Sequence, residues 1–383
     1  MRYNDGGGET RLMMRTVILC CLLSLVSLPA SSQSSLSVQL RLDYQSAEEA
    51  VGLYSGLSGN PQRISELSGS QLALETTALL VQKNLTTADL QTSLEGAKFN
   101  NIVGEDVFRM SEARAHAAEI KALLEQCKIR NFGQKVISTV EQLFPEDVQL
   151  SASIPVYFVA FGHHNIDAFV RRVSWNGNVP VFVGEGKGEL AIVVNLAKAA
   201  YYSGPIDRQF IELLTVVAHE VFHAMFGLYQ DRSGAWQRYY ATNRTYIAQL
   251  LELTQNEGIA YYLNLIQYHQ GKLPQAWLDQ LPGSFDQFGR SAHELLLPQT
   301  TQDRADEIIH ASNLSGSHKE SFGAFTGMII ARQIDQTLGR DAFRQTIALG
   351  PFDFFGKYID IMNRDNNLPQ LSNEIVRYVN ARR

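Results

Sequence analysis

Four side chains in this sequence have the types and spacing to do chemistry together. His219, Glu220 and His223 sit inside the apolar run Ile211 to Tyr229, IELLTVVAHEVFHAMFGLY. A helix through that run is apolar on nearly every side for about five turns, the pattern of a helix buried in protein. Three polar groups in such a helix are costly without partners. A helix advances 100° per residue, so the two imidazoles fall about 40° apart, one turn from each other on one face. Two imidazoles so placed can bind one zinc ion, and Glu220 beside them can reach a water on that ion. The fourth residue, Glu257, lies 34 positions after His223 in the run Thr245 to Tyr268. Its apolar stripe at Ile247, Leu250, Leu251, Thr254, Gly258, Tyr261 and Leu265 has helical spacing. Glu257 sits on the edge of that stripe, where a bare carboxylate needs a cation. Gly258 next to it leaves room for another helix to approach closely. Two His and one Glu leave a fourth position for water, the catalytic form of zinc coordination.

His219-Glu220-Val221-Phe222-His223 followed by Asn256-Glu257-Gly258-Ile259-Ala260 resembles the gluzincin branch of zinc metallopeptidases, whose best-known member is thermolysin. It is more closely similar to the loosely characterised zinc-dependent peptidase groups that carry the third ligand in a Glu-Gly-x-Ala context. The resemblance covers roughly Ile154 to Tyr268. It implies His219, His223 and Glu257 as ligands of one catalytic Zn²⁺, Glu220 as the general base, and a peptide or protein substrate. Thermolysin carries an Asp four residues after its ligand Glu, and this sequence has Tyr261 there. Metal-bound histidines need an orienting partner, so here it is the Tyr261 hydroxyl or a group from elsewhere. The resemblance also implies a His or Tyr from the C-terminal helices that stabilises the oxyanion. His310, His318 and Tyr358 are the candidates, and spacing does not choose among them. Two rival functions stand beside the peptidase: a catalytically silent peptide-binding module on the same fold, and a zinc hydrolase of a non-peptide amide. Glu220 argues against the first, because a module that only binds has no use for a base. The ligand set does not exclude the second.

The rest of the chain must position these groups. Residues 1–33 read as a signal peptide: Arg11 and Arg15 precede TVILCCLLSLVSLPA, followed by Ser31, Ser32 and Gln33. The run is too short for a good membrane span, so the expectation is an exported chain with no stable membrane insertion after cleavage. Cys127 is then the sole cysteine, which leaves no intramolecular disulfide. The net charge of −6, with acids and bases well mixed and no basic stripe, gives no sign of a nucleic-acid partner, and none is expected.

Residues 34–150 read as a helical region from about Val38, with Thr86 or Thr87 as one helix cap. These helices either cover one side of the catalytic domain or form a removable pro-segment. Residues 151–270 read as a zincin core in which strands Ile154 to Phe161, Val179 to Gly184 and Glu189 to Leu196 precede the histidine helix. Glu189 to Leu196 is either a sheet edge beside the cleft, to which an extended peptide can add, or an ordinary internal strand. Gly162-His163-His164-Asn165 reads as a loop. Residues 271–383 form a C-terminal helical subdomain. In it Trp277 to Arg304 reads as a loop over the cleft, Glu320 to Gly339 as a helix stopped by Gly339, and Arg340 to Ala348 and Ser372 to Val379 as shorter helices. The fold class is α+β: a mainly helical, zincin-like fold with a small mixed sheet beside the metal-binding helix.

Overall fold

The computed structural model describes residues 35–383 apart from 57–58, 103, 164, 185 and 314–320. The expected signal peptide and His318 lie outside the described residues. Alternating or continuous apolar runs build a five-stranded mixed sheet from β1 (Ser35–Asp43), β2 (Gln149–Val159), β3 (Ala168–Asn176), β4 (Val179–Phe182) and β5 (Glu189–Asn195), in the order β1-β2-β5-β3-β4. Strands β1, β2 and β5 are parallel, and β3 runs antiparallel to both β5 and β4. The sheet and the surrounding helices give the expected mainly helical α+β class.

Two strands depart from the sequence reading. Ser35–Asp43 is a strand where helix was expected from about Val38. Its Leu36, Val38, Leu40 and Leu42 are half-buried and alternate with exposed Ser37, Gln39 and Arg41, the period of a strand with one covered face. β3 lies in a stretch to which the sequence assigned no strand. Its insertion makes β5 internal, between β2 and β3, and Ala191 to Asn195 are all buried. Of the two alternatives for this segment, the internal strand is the one observed.

The edge near the histidine helix belongs to β3. Strand β4 pairs with it only from Val173 to Asn176, and the Val183 N–H extends the ladder to the Arg172 carbonyl at 3.0 Å. Among the described residues no strand lies on that side of residues 168–171.

The histidine helix, Ile206–Arg232, follows Pro205, whose fixed geometry suits a helix start. Phe132 ties the helix to the sheet, with ring centroids 5.7 Å from both Phe158 and Phe210. The glutamate helix, Tyr246–Gln267, begins at Thr245, whose hydroxyl accepts the Ala248 N–H. Earlier in the chain, Thr86 caps the helix Thr87–Phe99 in a reciprocal capping box with Asp89.

The stretch expected as a loop over the cleft is instead helical, with Gln275–Leu278 and then Leu281–Leu296. Phe285, Phe288, Ala292 and Leu295 form the buried stripe of the second helix, and Pro282 sits in its first turn, where a missing N–H costs nothing. Further helices follow at Gln302–Ser312, Phe322–Leu338, Arg340–Leu349, Pro351–Met362 and Asn373–Asn380. Gly339, at φ 87°, ends the helix Phe322–Leu338.

That helix, Phe322–Leu338, crosses the glutamate helix at a pair of glycines. A Cβ on Gly258 would stand 2.3 Å from the Gly327 carbonyl carbon, and one on Gly327 would stand 2.0 Å from the Thr254 carbonyl oxygen. Only two bare backbones fit at this crossing, as the sequence suggested for Gly258. The described residues from Ser35 to Arg383 form one compact unit.

Candidate metal centre

The histidine helix places His219 and His223 one turn apart, with ring centroids 4.6 Å apart and planes at 81°. The glutamate helix brings Glu257 against them. His219 Nε2 and His223 Nε2 are 3.0 Å apart, and Glu257 Oε2 lies 3.3 Å from His223 Nε2 and 3.7 Å from His219 Nε2. The three side chains remain 18%, 15% and 14% exposed, so the site opens to solvent.

This triangle has the size a zinc ion requires. A triangle with sides of 3.0, 3.3 and 3.7 Å has a circumscribed circle of radius about 1.95 Å, the product of the sides over four times the area. A cation at the usual zinc–nitrogen and zinc–oxygen length of about 2.05 Å could therefore reach all three atoms at once, with room left for a fourth ligand. The donors also fit zinc chemically, since two imidazoles and one carboxylate are the ligand set of open catalytic sites.

Electrostatics point the same way. Burial works against a charged His223, but Glu257, Glu220 and the Asn256 side chain outweigh it and push the imidazole pKa up to about 9. Burial likewise works to raise Glu257. The two imidazoles and hydrogen bonds from His223 and Asn313 overcome it and hold the carboxyl below its ordinary value. The pocket favours positive charge between the three groups.

The orienting partner of His223 is Asn256, which the sequence reading quoted in the motif without giving it a role. Its Oδ1 lies 2.9 Å from His223 Nδ1. Because that oxygen can only accept, Nδ1 is the donor of this bond, which leaves Nε2 as the atom facing the site and the one that must lose its proton for a metal to bind. Tyr261 packs edge-on against the His219 ring at 4.9 Å. Burial and the nearby Glu257 and Glu220 carboxyls raise its phenol pKa. Asn313, at the end of the helix Gln302–Ser312, bonds Glu257 from a third direction. No periodicity announces it.

Glu220 faces the sheet. Its Oε2 accepts the Val170 N–H from the uncovered edge of β3 at 3.0 Å. Burial is the largest influence on Glu220 and, with Glu257, pushes its pKa up to about 7 against the opposing pull of His223, Val170 and Arg171.

The oxyanion candidates fare differently. Tyr358 is fully buried among the C-terminal helices, where it stacks near Phe285 and donates to the Pro369 carbonyl at 2.7 Å. Its hydroxyl is spent in the core. His310 is exposed in the last turn of its helix. His163 lies in the expected loop, where its ring accepts the Asn165 N–H at 3.3 Å and its carbonyl accepts the Asn195 amide.

A long helix bearing two imidazoles, a second bearing a carboxylate, and a small mixed sheet at their side define a protein built around one candidate metal site. Residues 62–367 match the family described as "Putative zinc dependent peptidase (DUF5700)", and the chain belongs to that family. No curated protein and no solved structure shows a significant match to it.

Proposed function

We propose that this protein is an exported zinc peptidase of the gluzincin kind. In this reading His219, His223 and Glu257 hold the metal and Glu220 is the general base. The observation that carries it is the convergence of three ligand atoms at 3.0, 3.3 and 3.7 Å with Glu220 on the same helix beside them.

Zinc, when bound, supplies a Lewis acid for the scissile carbonyl and a water that ionises near neutral pH. The residues of this chain supply the rest. The Val170 N–H fixes Glu220 Oε2, which leaves Oε1 to take the proton of the attacking water and return it to the leaving amine. Burial that lifts this carboxyl toward 7 suits a group that must both accept and release a proton, and a dication nearby pulls it back down. Asn256 and Asn313 keep His223 and Glu257 aimed at the ion while the proton moves. Export rests on the N-terminal run after Arg15.

Metal analysis of purified protein, paired with cleavage of casein and a mixed peptide library, tests the proposal. One zinc per chain and chelator-sensitive cleavage are expected, with Glu257→Ala losing both. One zinc with no peptide cleaved instead favours the silent binding module.

A further inference from the structure

Beside the general base stands a cation that the mechanism above does not use. Arg171 is exposed on β3, one residue after the backbone N–H that holds Glu220. Its guanidinium is pinned from two sides. Its carbon lies 3.7 Å from the Phe169 ring centroid, and Nη1 donates to the Val170 carbonyl at 3.1 Å. Glu220 and Arg171 therefore flank one backbone unit, the first on the Val170 N–H and the second on the Val170 carbonyl.

The neighbouring Arg172 shows what a structural arginine looks like here, since its guanidinium is paired with Asp231 at 2.6 Å. Arg171 makes no such ion pair among the described residues, although its charge and that of Glu220 influence each other. A guanidinium offers five N–H donors in a fixed fork matched to a carboxylate. Here one donor is taken by a carbonyl, ring stacking limits the motion, and the position is accessible.

Resting on the peptidase reading, we infer that Arg171 is a specificity residue that grips a substrate carboxylate within about two residues of the scissile bond. An extended chain rises about 3.3 Å per residue, so a guanidinium held on the same backbone unit as Glu220 reaches only that far along the substrate. The Val170 N–H and carbonyl are already taken by Glu220 and Arg171, so a substrate passing this unit meets those two side chains rather than the strand's own backbone. An internal Asp or Glu side chain fits this arrangement, and a free C-terminus carries the same carboxylate chemistry.

The test uses full-length zinc-loaded protein and peptide sets identical except at positions flanking the cleavage site. These carry Glu, Gln or Lys internally, or a free or amidated C-terminus. Wild-type protein is expected to prefer Glu over Gln by about tenfold to hundredfold in kcat/KM, the range of one charge-assisted contact. A preference confined to the free C-terminus over the amide assigns the carboxylate to the chain end instead.

Arg171→Gln should collapse the ratio toward one, Arg171→Lys should restore part of it, and Arg171→Glu should turn it toward the Lys peptide. Zinc content and melting temperature of each variant separate lost recognition from lost fold. The same ratios read as binding anisotropy on zinc-loaded Glu220→Gln, without turnover. A wild-type enzyme that cleaves peptides with no carboxylate preference overturns the inference and leaves the peptidase reading intact. So does a loss in Arg171→Gln that is equal for every peptide. Protein that neither cleaves nor binds any peptide overturns both.

Discussion

Replacing Gly258 by alanine adds one methyl group at the point where the two helices behind the metal centre touch. An alanine Cβ there meets the Gly327 carbonyl carbon at 2.3 Å, the Gly327 Cα at 2.4 Å and the Met328 nitrogen at 2.7 Å. All three are backbone atoms, so no side chain can swing aside. Ordinary carbon contacts need about 3.5 Å, so the helices must part by roughly 1 Å. Overpacking of this kind costs about 1–3 kcal/mol or more. Glu257 is the next residue along and moves with the helix. Metal–ligand distances tolerate only about 0.2 Å, so the carboxylate leaves bonding range of an ion held by the two histidines. Gly258→Ala should therefore lower urea-unfolding stability by at least about 1–3 kcal/mol and weaken zinc by about tenfold or more in competition with a chromophoric chelator. Gly227 sits in the histidine helix with nothing within 4 Å of its would-be Cβ. Gly227→Ala should be neutral or add up to about 1 kcal/mol through helix propensity. A Gly258→Ala protein with wild-type stability and wild-type zinc affinity would refute the close-crossing argument.

Other outcomes follow from the same geometry. Glu220→Gln should retain zinc by metal analysis while turnover falls by about a hundredfold to ten-thousandfold; unimpaired hydrolysis removes the general-base assignment. Asn256→Ala should weaken zinc by about tenfold to a hundredfold through loss of His223 orientation, read by chelator competition on folded protein. Without metal, His223 keeps its proton up to about pH 9, so zinc has to displace that proton below this value. Zinc affinity should thus rise by about tenfold per pH unit for each proton released and level off near pH 9, and calorimetry in buffers of different ionisation enthalpy counts the released proton. Cys127 is buried and burial pushes its thiol up to about 12, so alkylation of native protein should be slow and should accelerate with urea in step with unfolding.

The chemistry of the site was more legible than its surroundings. His219 and His223 announce themselves because helical geometry fixes where residues four apart must point, and Glu257 because a charge at the edge of an apolar stripe needs a reason. Gly258 signalled a close neighbour, although not that the neighbour would be another glycine. Strand β3 escaped because Arg171 and Arg172 interrupt its apolar pattern. Arg171 lies against the ring of Phe169 two residues earlier, and Arg172 is accommodated by Asp231, a tertiary contact that sequence spacing does not reveal. β1 had the alternation of a strand and was overridden by the helical grammar that follows it. The helix Leu281–Leu296 was hidden by Pro282 and Gly283, which mark turns in isolation and serve here as a first turn. Asn256 and Asn313 position ligands through single hydrogen bonds, and such a bond has no period.

The pairing of the first strand with the second bears on how the chain assembles. Ser35 aligns with Gln149 and Asp43 with Tyr157, an offset of 114 residues (149 − 35). Closing a loop of that length costs about 4 kcal/mol by its length-dependent entropy alone, and contacts so remote in sequence tend to form late. The intervening helices can gather locally beforehand, after which Ser35–Asp43 docks on a ladder already built. Held along one flank only, as β4 is at the other edge, it should also peel away as denaturant rises before the metal-binding helices separate.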